Sequence, residues 1–319
     1  MQSPAPLVSA LVTTFNHERF ICEAIESLLD QTYSAIEIIV VDDGSQDRTF
    51  NLACQYRSRN VQVLRGPESG PSCAMNMAMA HATGDIFMLQ SGDDISTKIR
   101  AEVQVRALAD VDLHAGLPAL IDGQGHPLSD RDFPVFFRSR PGDMKYLFKS
   151  LYEDGNFLCA SAVAMKRTVW EKIGGFHPGL LQLQDYDYWL RTLAGGFLVS
   201  VTGERLASYR IHGSNLSDTR HDVRVHREMG AIFRSLAPHI PTAWILSILY
   251  NSSFHGLPWQ TVDRKILTAL LFLRHPVESV RQIGIEALID VLADTHLAEN
   301  LDREFDLSHR TVFDLFLHR

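Results

Sequence analysis

An α/β protein, with a mostly parallel central sheet flanked by helices and a C-terminal extension made of helices alone, is what these 319 residues predict. Three observations carry that expectation. Short apolar, β-branched runs alternate with stretches of helical spacing through the first hundred residues, which implies right-handed crossovers and parallel strands. The apolar runs end abruptly in polar clusters. After about Asp218 strand signals vanish, while helical spacing continues to the end.

Residues 7–14 are the first buried strand. Asn16 is placed to cap a helix in which Phe20, Ile21, Ala24, Ile25, Leu28 and Leu29 recur at helical spacing. Residues 36–41 form a second strand that stops at Asp42-Asp43-Gly44-Ser45, and Asp47 can cap a helix running to about Arg59. A third strand at 61–64, an Ala- and Met-rich helix at 72–81 and a fourth strand at 85–89 follow, the last ending at Ser91-Gly92-Asp93-Asp94. Residues 112–142 are irregular, with a hairpin turn at 123–127. A strand at 157–165, a helix at 166–173 stopped by Gly174-Gly175, a short helix at 184–193 and short strands at 198–201 and 206–209 come next. Helices are expected at 223–236, 242–250, 262–273, 277–293 and 310–317. The chain divides into an α/β domain, 1–218, and a helical region, 219–319.

Thirty Lys and Arg against thirty-eight Asp and Glu give a formal charge of -8, the wrong balance for binding nucleic acid through its phosphates. Cys22, Cys54, Cys73 and Cys159 are scattered, so neither a zinc site nor a disulfide framework is suggested. Residues 1–6 lack the basic and apolar regions of a signal peptide, and the apolar run 243–250 is far shorter than the roughly 20 residues needed to span a bilayer. The expectation is a cytoplasmic protein, with peripheral contact at the inner face of the membrane as an option.

In parallel sheets ligands bind beyond the carboxyl ends of the strands, where residues 14–16, 42–45 and 91–94 all fall. Asp42 and Asp43 can accept hydrogen bonds from a base or sugar, or simply cap the next helix. Asp93 and Asp94 suit a hard divalent cation beside a diphosphate, or again a capping turn. Asp185 shares a short helix with Trp189 and Leu190, where desolvation makes a carboxylate basic enough to take a proton; helix-dipole stabilisation is the plainer alternative. Arg210 and His212, just after a strand, can hold a phosphate or a metal.

Taken in order, Val12-Thr13-Thr14-Phe15-Asn16, residues 24–33, Glu37 through Ser45, Gly70-Pro71-Ser72 with Asn76, Lys172-Ile173-Gly174-Gly175-Phe176, Gln184 through Arg191 and Tyr209 through Ser217 resemble the family 2 glycosyltransferases, which have the GT-A fold. The resemblance runs from about Val8 to Ser217. It implies a Rossmann-like nucleotide-binding half in which Thr14, Phe15, Asn16 and Asp42, with Asp43 nearby, hold the base and ribose. Ser91-Gly92-Asp93 occupies the family's DxD position; Asp93, assisted by Asp94 and His212, would ligate a divalent cation, Mn2+ or Mg2+. Arg210 and His212 would lie near the diphosphate, and Asp185 matches the catalytic base. The implied activity is inverting transfer from a nucleotide sugar, a UDP-sugar by preference with dTDP or GDP sugars open, to a hydroxyl of a glycan or lipid-linked acceptor. Loops around 142–155 and 214–220 would close to exclude water.

Three departures stand out: Ser91 replaces the first Asp of DxD, Gln184 the acidic residue preceding the base, and Met75 an Arg before Asn76. They motivate a second hypothesis, a non-catalytic nucleotide-sugar or glycan-binding module of the same fold. A sugar nucleotidyltransferase is disfavoured because no Gly-rich basic loop follows the first strand. A glycoside hydrolase is disfavoured for want of a second carboxylate across the sugar. The helical region, with Trp244, Ile245, Leu246, Ile248, Leu249 and Tyr250, is expected to pack on the catalytic domain; a homodimer interface and membrane contact are the alternatives.

Overall fold

The computed structural model describes residues 5–66, 68–137, 144–213, 215, 223–250, 262–308 and 310–312, and the chain forms two units. The first comprises Met1–Leu147 and Gly155–Thr219; the second comprises Phe148–Asp154 and Arg220–Arg319. Phe148–Asp154, inside the segment the sequence assigns to the α/β domain, belongs with the helical unit.

The first unit is an eight-stranded mixed sheet in the order β3-β2-β1-β4-β7-β6-β8-β5. Strands β1 (Val8–Thr14), β2 (Ile36–Asp42), β3 (Val61–Arg65) and β4 (Ile86–Ser91) are parallel to one another. Helices cover such strands on both faces, which is why β1 and β2 read as unbroken apolar runs. Val8, Ser9, Ala10, Leu11 and Val12 are all buried. Helix α1 (Ile21–Leu29) lays Ile21, Ile25 and Leu28 into the core formed by Val8, Val12, Ile38 and Val40. Helices α2 (Thr49–Ala53) and α3 (Pro71–His81) complete the crossovers, α3 starting with Pro in its first turn as pre-set φ favours. The helix expected to reach Arg59 stops earlier, at Ala53 and a short 3-10 turn, because Ser58 bridges back to Val61.

Beyond β4 the sheet turns from parallel to mixed. Two-residue β5 (Ile95–Ser96) and helix α4 (Arg100–Ala107) lead into β6 (Leu113–Asp122), a ten-residue strand where the sequence showed only irregularity. Gly116 and Pro118 broke the pattern: the register with β8 shifts on either side of Leu117, and a Cβ at Gly116 would lie 2.7 Å from the Leu206 side chain. The turn expected at 123–127 is present, closed by the Ile121–Pro127 bridge. β7 (Val163–Lys166) is antiparallel to β4 and β6. It is preceded by a 3-10 turn at Ala160–Ala162, which shortens the strand expected from 157. The two short strands expected at 198–201 and 206–209 are one, β8 (Val199–Ile211), paired with β6 and β5. Helices α6 (Arg167–Ile173) and α7 (Gln184–Ala194) lie where the sequence places them.

Helix α5 (Met144–Asp154) corrects the expectation of a closing loop at 142–155: Leu147, Phe148, Leu151 and Tyr152 recur on one buried face. Gly142 and Asp143, and of the other expected loop Ser214 and residues 216–220, lie outside the described residues.

The second unit holds α8 (Val223–Leu236), α9 (Thr242–Tyr250), α10 (Arg264–Leu273), α11 (Glu278–Ala293) and α12 (Thr295–Phe305). Helix α12 was not anticipated; the Asp294 carboxylate caps it, accepting from His296 N and Leu297 N. Residues 310–312 are helical, and 313–317 lie outside the described residues. In α9, Ile245, Ile248 and Leu249 are buried, and the Trp244 ring lies 5.1 Å from that of Phe148 in the same unit. No single helix among the described residues is long and apolar enough to cross a membrane.

One buried cation organises the middle of the sheet. Arg100, fully buried, donates to the carbonyls of Leu89 (2.7 Å) and Val163 (2.9 Å), to Gln104 Oε1 (3.0 Å) and to Ser96 Oγ (3.0 Å). Burial pushes its guanidinium down to about 9. It joins β4, β5, β7 and α4 directly beneath the 91–94 turn. Arg100→Met would leave those acceptors buried without donors, and we expect a loss of about 3 kcal/mol in chemical denaturation; an unchanged midpoint would show the network to be dispensable.

Candidate functional site

Register brings the three polar clusters together. Thr14 pairs with Asp42 and Thr13 with Ser91, so the ends of β1, β2 and β4 lie side by side. Asn16 does not cap α1. It sits at φ 55°, a left-handed conformation that Asn tolerates, donates its N–H to Ser45 Oγ (2.8 Å) and accepts from Gln46 N at Oδ1 (2.9 Å). The first two loops are thereby tied together, with the ring of Phe15 left half exposed beside them.

Asp42 and Asp43 have separate tasks. Asp42 is fully buried; Oδ1 accepts from Ser45 N (2.9 Å), while Oδ2 is buried without a hydrogen-bond partner, as is Thr14 Oγ1. Such atoms are costly unless something supplies a donor. Asp43 is already engaged: Oδ2 accepts from Gly70 N (2.7 Å) and Oδ1 from Ser69 N (3.3 Å), fixing the entrance to α3.

In the 91–94 turn Gly92 is required by space, since a Cβ there would meet Thr14 Oγ1 at 2.5 Å. Ser91 donates its N–H to Ser161 Oγ (3.0 Å). Asp93 Oδ2 lies 2.9 Å from His212 Nε2 and 3.7 Å from His17 Nε2, and one ligand atom from each of these three residues lies within 4.8 Å of the other two. Burial pushes the Asp93 carboxyl up, but the His212 hydrogen bond and the neighbouring His17 outweigh it and hold the group below the usual range. Burial pushes the His17 imidazole down, aided by His212 and opposed by Asp93. One carboxylate oxygen with two imidazole nitrogens is a donor set that fits a divalent first-row ion.

Asp94, expected to assist Asp93, lies outside this cluster. Its carboxyl accepts from Arg210 N (2.9 Å), and burial with the adjacent Asp93 charge raises it well above the ordinary value. Arg210, expected near a diphosphate, is only 2 % exposed. Its guanidinium donates to the carbonyls of Asp93 (2.8 Å) and Asp122 (3.3 Å) and to Glu23, over the face of Phe20. It serves as a brace for the turn.

Asp185 stands in the first turn of α7, half-buried, above Tyr186, Tyr188 and Trp189, which are fully enclosed. Oδ2 accepts from Asn156 Nδ2 (2.9 Å) and Oδ1 from Tyr186 N (2.7 Å). Burial pushes its carboxyl up to about 6, against the pull of those two bonds. The approach to α7 is held by α3. Asn76 donates to Phe176 O (2.8 Å) and accepts from Phe176 N (2.7 Å), Ser72 Oγ donates to Leu180 O (2.8 Å), and Phe176 stacks on Tyr188 at 4.4 Å. Gly175 leaves room for that clamp, since a Cβ would fall 2.3 Å from Asn76 Oδ1.

One short segment links the two acidic centres. Asn156 touches Asp185, and five residues later Ser161 touches Ser91; a fully extended chain bounds that span at about 18 Å. Between them the buried Cys159 thiol is pushed up by burial and by the charges of both Asp94 and Asp185. His17, Asn156 and Ser161 were not singled out from the sequence. For His17 a signal existed, a potential ligand one residue beyond Asn16; Asn156 and Ser161 gave none.

The sequence model of glycosyl transferase family 2 matches residues 9–174. An uncharacterised glycosyltransferase of Rickettsia typhi is 30% identical over 220 residues, 67% of this chain and 67% of the relative. The putative glycosyltransferase EpsE of Bacillus subtilis is 30% identical over 201 residues, 60% of this chain and 68% of the relative. Among solved structures, S. aureus TarS 1-349 in complex with UDP-GlcNAc superposes with a TM-score of 0.60 at 19% identity, covering 97% of this chain and 88% of that one. The mannosyltransferase PcManGT of Pyrobaculum calidifontis, in complex with GDP-Man and Mn2+, gives 0.58 at 17%, covering 98% and 86%. The fold is that of the GT-A glycosyltransferases.

The Asn156 hydrogen bond favours the charged carboxylate, so removing it must raise the Asp185 pKa further. Carboxyl 13C NMR of labelled protein is expected to show Asp185 titrating near about 6, and higher in Asn156→Ala. A midpoint in the ordinary carboxylate range, or a downward move in the variant, would contradict this.

Proposed function

Because this chain belongs to glycosyl transferase family 2, we propose that it is an inverting enzyme carrying a sugar from a nucleotide-diphosphate donor, a UDP-sugar, to a hydroxyl of a glycan or lipid-linked saccharide, with Asp185 as general base. The observation that carries the reading is Asp185 itself. It is a carboxylate raised to about 6 by burial, aligned by Asn156, and joined through one short segment to the Asp93 centre. A base with such a pKa is ionised at neutral pH yet holds a proton better than a solvated carboxylate does.

The donor's base is taken by the first two loops. Asp42 Oδ2 is a buried acceptor without a donor, and the imide N–H of uracil supplies one; thymine and guanine carry an equivalent N–H. Phe15 offers its exposed ring for stacking. Asp93 and His212 would hold a divalent cation, which when bound neutralises charge on the departing diphosphate. Asp185 accepts the acceptor hydroxyl's proton as that oxygen forms a bond to the anomeric carbon. The bond from that carbon to the diphosphate breaks on the opposite face, and the nucleoside diphosphate leaves with the electron pair. The Gln184 carboxamide is not basic enough to take a hydroxyl's proton at neutral pH, so Asp185 carries this step alone.

Asp185→Asn is expected to lower kcat by about a thousandfold while UDP-sugar affinity stays unchanged; turnover near wild type would remove Asp185 from the base role. In calorimetry Asp42→Ala is expected to weaken UDP binding by about 10- to 100-fold, the loss of one hydrogen bond to a charged acceptor. Equal affinity would place the base elsewhere. A wild-type chain that binds nucleotide sugar in Mn2+ but yields no product with any hydroxyl acceptor would favour the binding-module reading.

A further inference from the structure

We propose that His17 is a third protein ligand of the cation at Asp93 and His212, giving a centre of two imidazoles and one carboxylate that prefers Mn2+ to Mg2+ and binds it without a nucleotide. The inference rests on the reading of Asp93 and His212 as cation ligands given above, and assigns the residue that reading leaves unexplained.

His17 is held by its neighbours on both sides. Asn16 is bonded to Ser45 and Gln46, Glu18 N donates to Asp47 Oδ2 (3.1 Å), and the His17 carbonyl accepts from Phe20 N and Ile21 N, both at 2.9 Å. The ring thus has a fixed origin in the loop. Its Nδ1 is buried without a hydrogen-bond partner and backs onto Gly92, where a Cβ would lie 3.1 Å away. Its Nε2 faces Asp93 Oδ2 at 3.7 Å, too far for a hydrogen bond. The His212 ring meets it edge-on at 6.2 Å, with the planes 82° apart.

The His17 side chain keeps only 16 % of its surface exposed, and the edge that faces the carboxylate makes no hydrogen bond to it. A shared cation accounts for that geometry. Donors bound at roughly 2.1 Å to a first-row ion stand about 3.0 Å apart when adjacent and about 4.2 Å apart when opposite. The observed 2.9 and 3.7 Å fall in or beside that interval. Each nitrogen donor also shifts preference away from Mg2+, which favours oxygen and retains water, toward transition ions. Three ligands from the protein let the ion bind before any phosphate oxygen arrives.

The test is a titration of the full chain with MnCl2 in the absence of nucleotide, followed by EPR. We expect one Mn2+ per chain, retained in a large excess of MgCl2. Electron spin-echo modulation should show two coordinated imidazole nitrogens in the wild type and one in His17→Gln, with affinity weakened about tenfold or more in the variant. A single imidazole in the wild-type spectrum would overturn the proposal, as would unchanged affinity in His17→Gln or easy displacement by Mg2+. The wild-type spectrum decides the point even where the variant folds poorly. A parallel assay of sugar transfer separates the two levels. Transfer with one imidazole on the ion sinks only the role of His17; two imidazoles without transfer uphold it and sink the functional reading.

Discussion

Arg210 is the fastening on which the centre depends. Its backbone N–H binds the Asp94 carboxyl and its guanidinium binds the Asp93 carbonyl, so the end of β8 is locked to the turn after β4 across more than a hundred residues of chain. Alternation along an extended strand puts the residue two further on over the same face, and that residue is His212. The 2.9 Å contact between His212 and Asp93 is a consequence of the lock. A buried guanidinium is tolerable only because Glu23, the Phe20 face and two carbonyls surround it.

The same economy explains why adjacent acids do different work. Asp42 keeps one oxygen without a donor while Asp43 is absorbed in holding α3, and α3 in turn clamps the segment that delivers Asp185. Asp93 faces the two imidazoles while Asp94 is absorbed by β8. In each pair one carboxylate braces a neighbouring element and the other does not: Asp42 Oδ2 lacks a hydrogen-bond partner and Asp93 faces two imidazoles. The two centres are then connected by 156–161, in which Asn156 bonds Asp185 and Ser161 bonds Ser91.

The parallel half of the sheet was legible because strands covered on both faces leave unbroken apolar runs, as in β1 and β2. Its polar ends were legible for the same reason: the runs stop sharply. The other half was harder. Gly116 and Pro118 disguised β6, and the exposed Glu204 and Arg205 split β8 into two apparent strands. Asp185 showed itself through its aromatic helix, but its partner Asn156 lies 29 residues away in an unpatterned loop, and only the folded chain reveals that pair. Arg210 read as a ligand because a cation after a strand has the same letter whether it faces solvent or is enclosed. His17 lay in plain sight, yet its meaning depends on His212, 195 positions later, meeting the same carboxylate.

The most direct measurement is an experimental structure of the chain with a UDP-sugar, Mn2+ and an acceptor alcohol. We expect the diphosphate beside Asp93, uracil N3 donating to Asp42, and the acceptor hydroxyl within about 2.6–3.2 Å of the Asp185 carboxylate. A donor bound with its anomeric carbon beyond the reach of any alcohol held by Asp185 would contradict it.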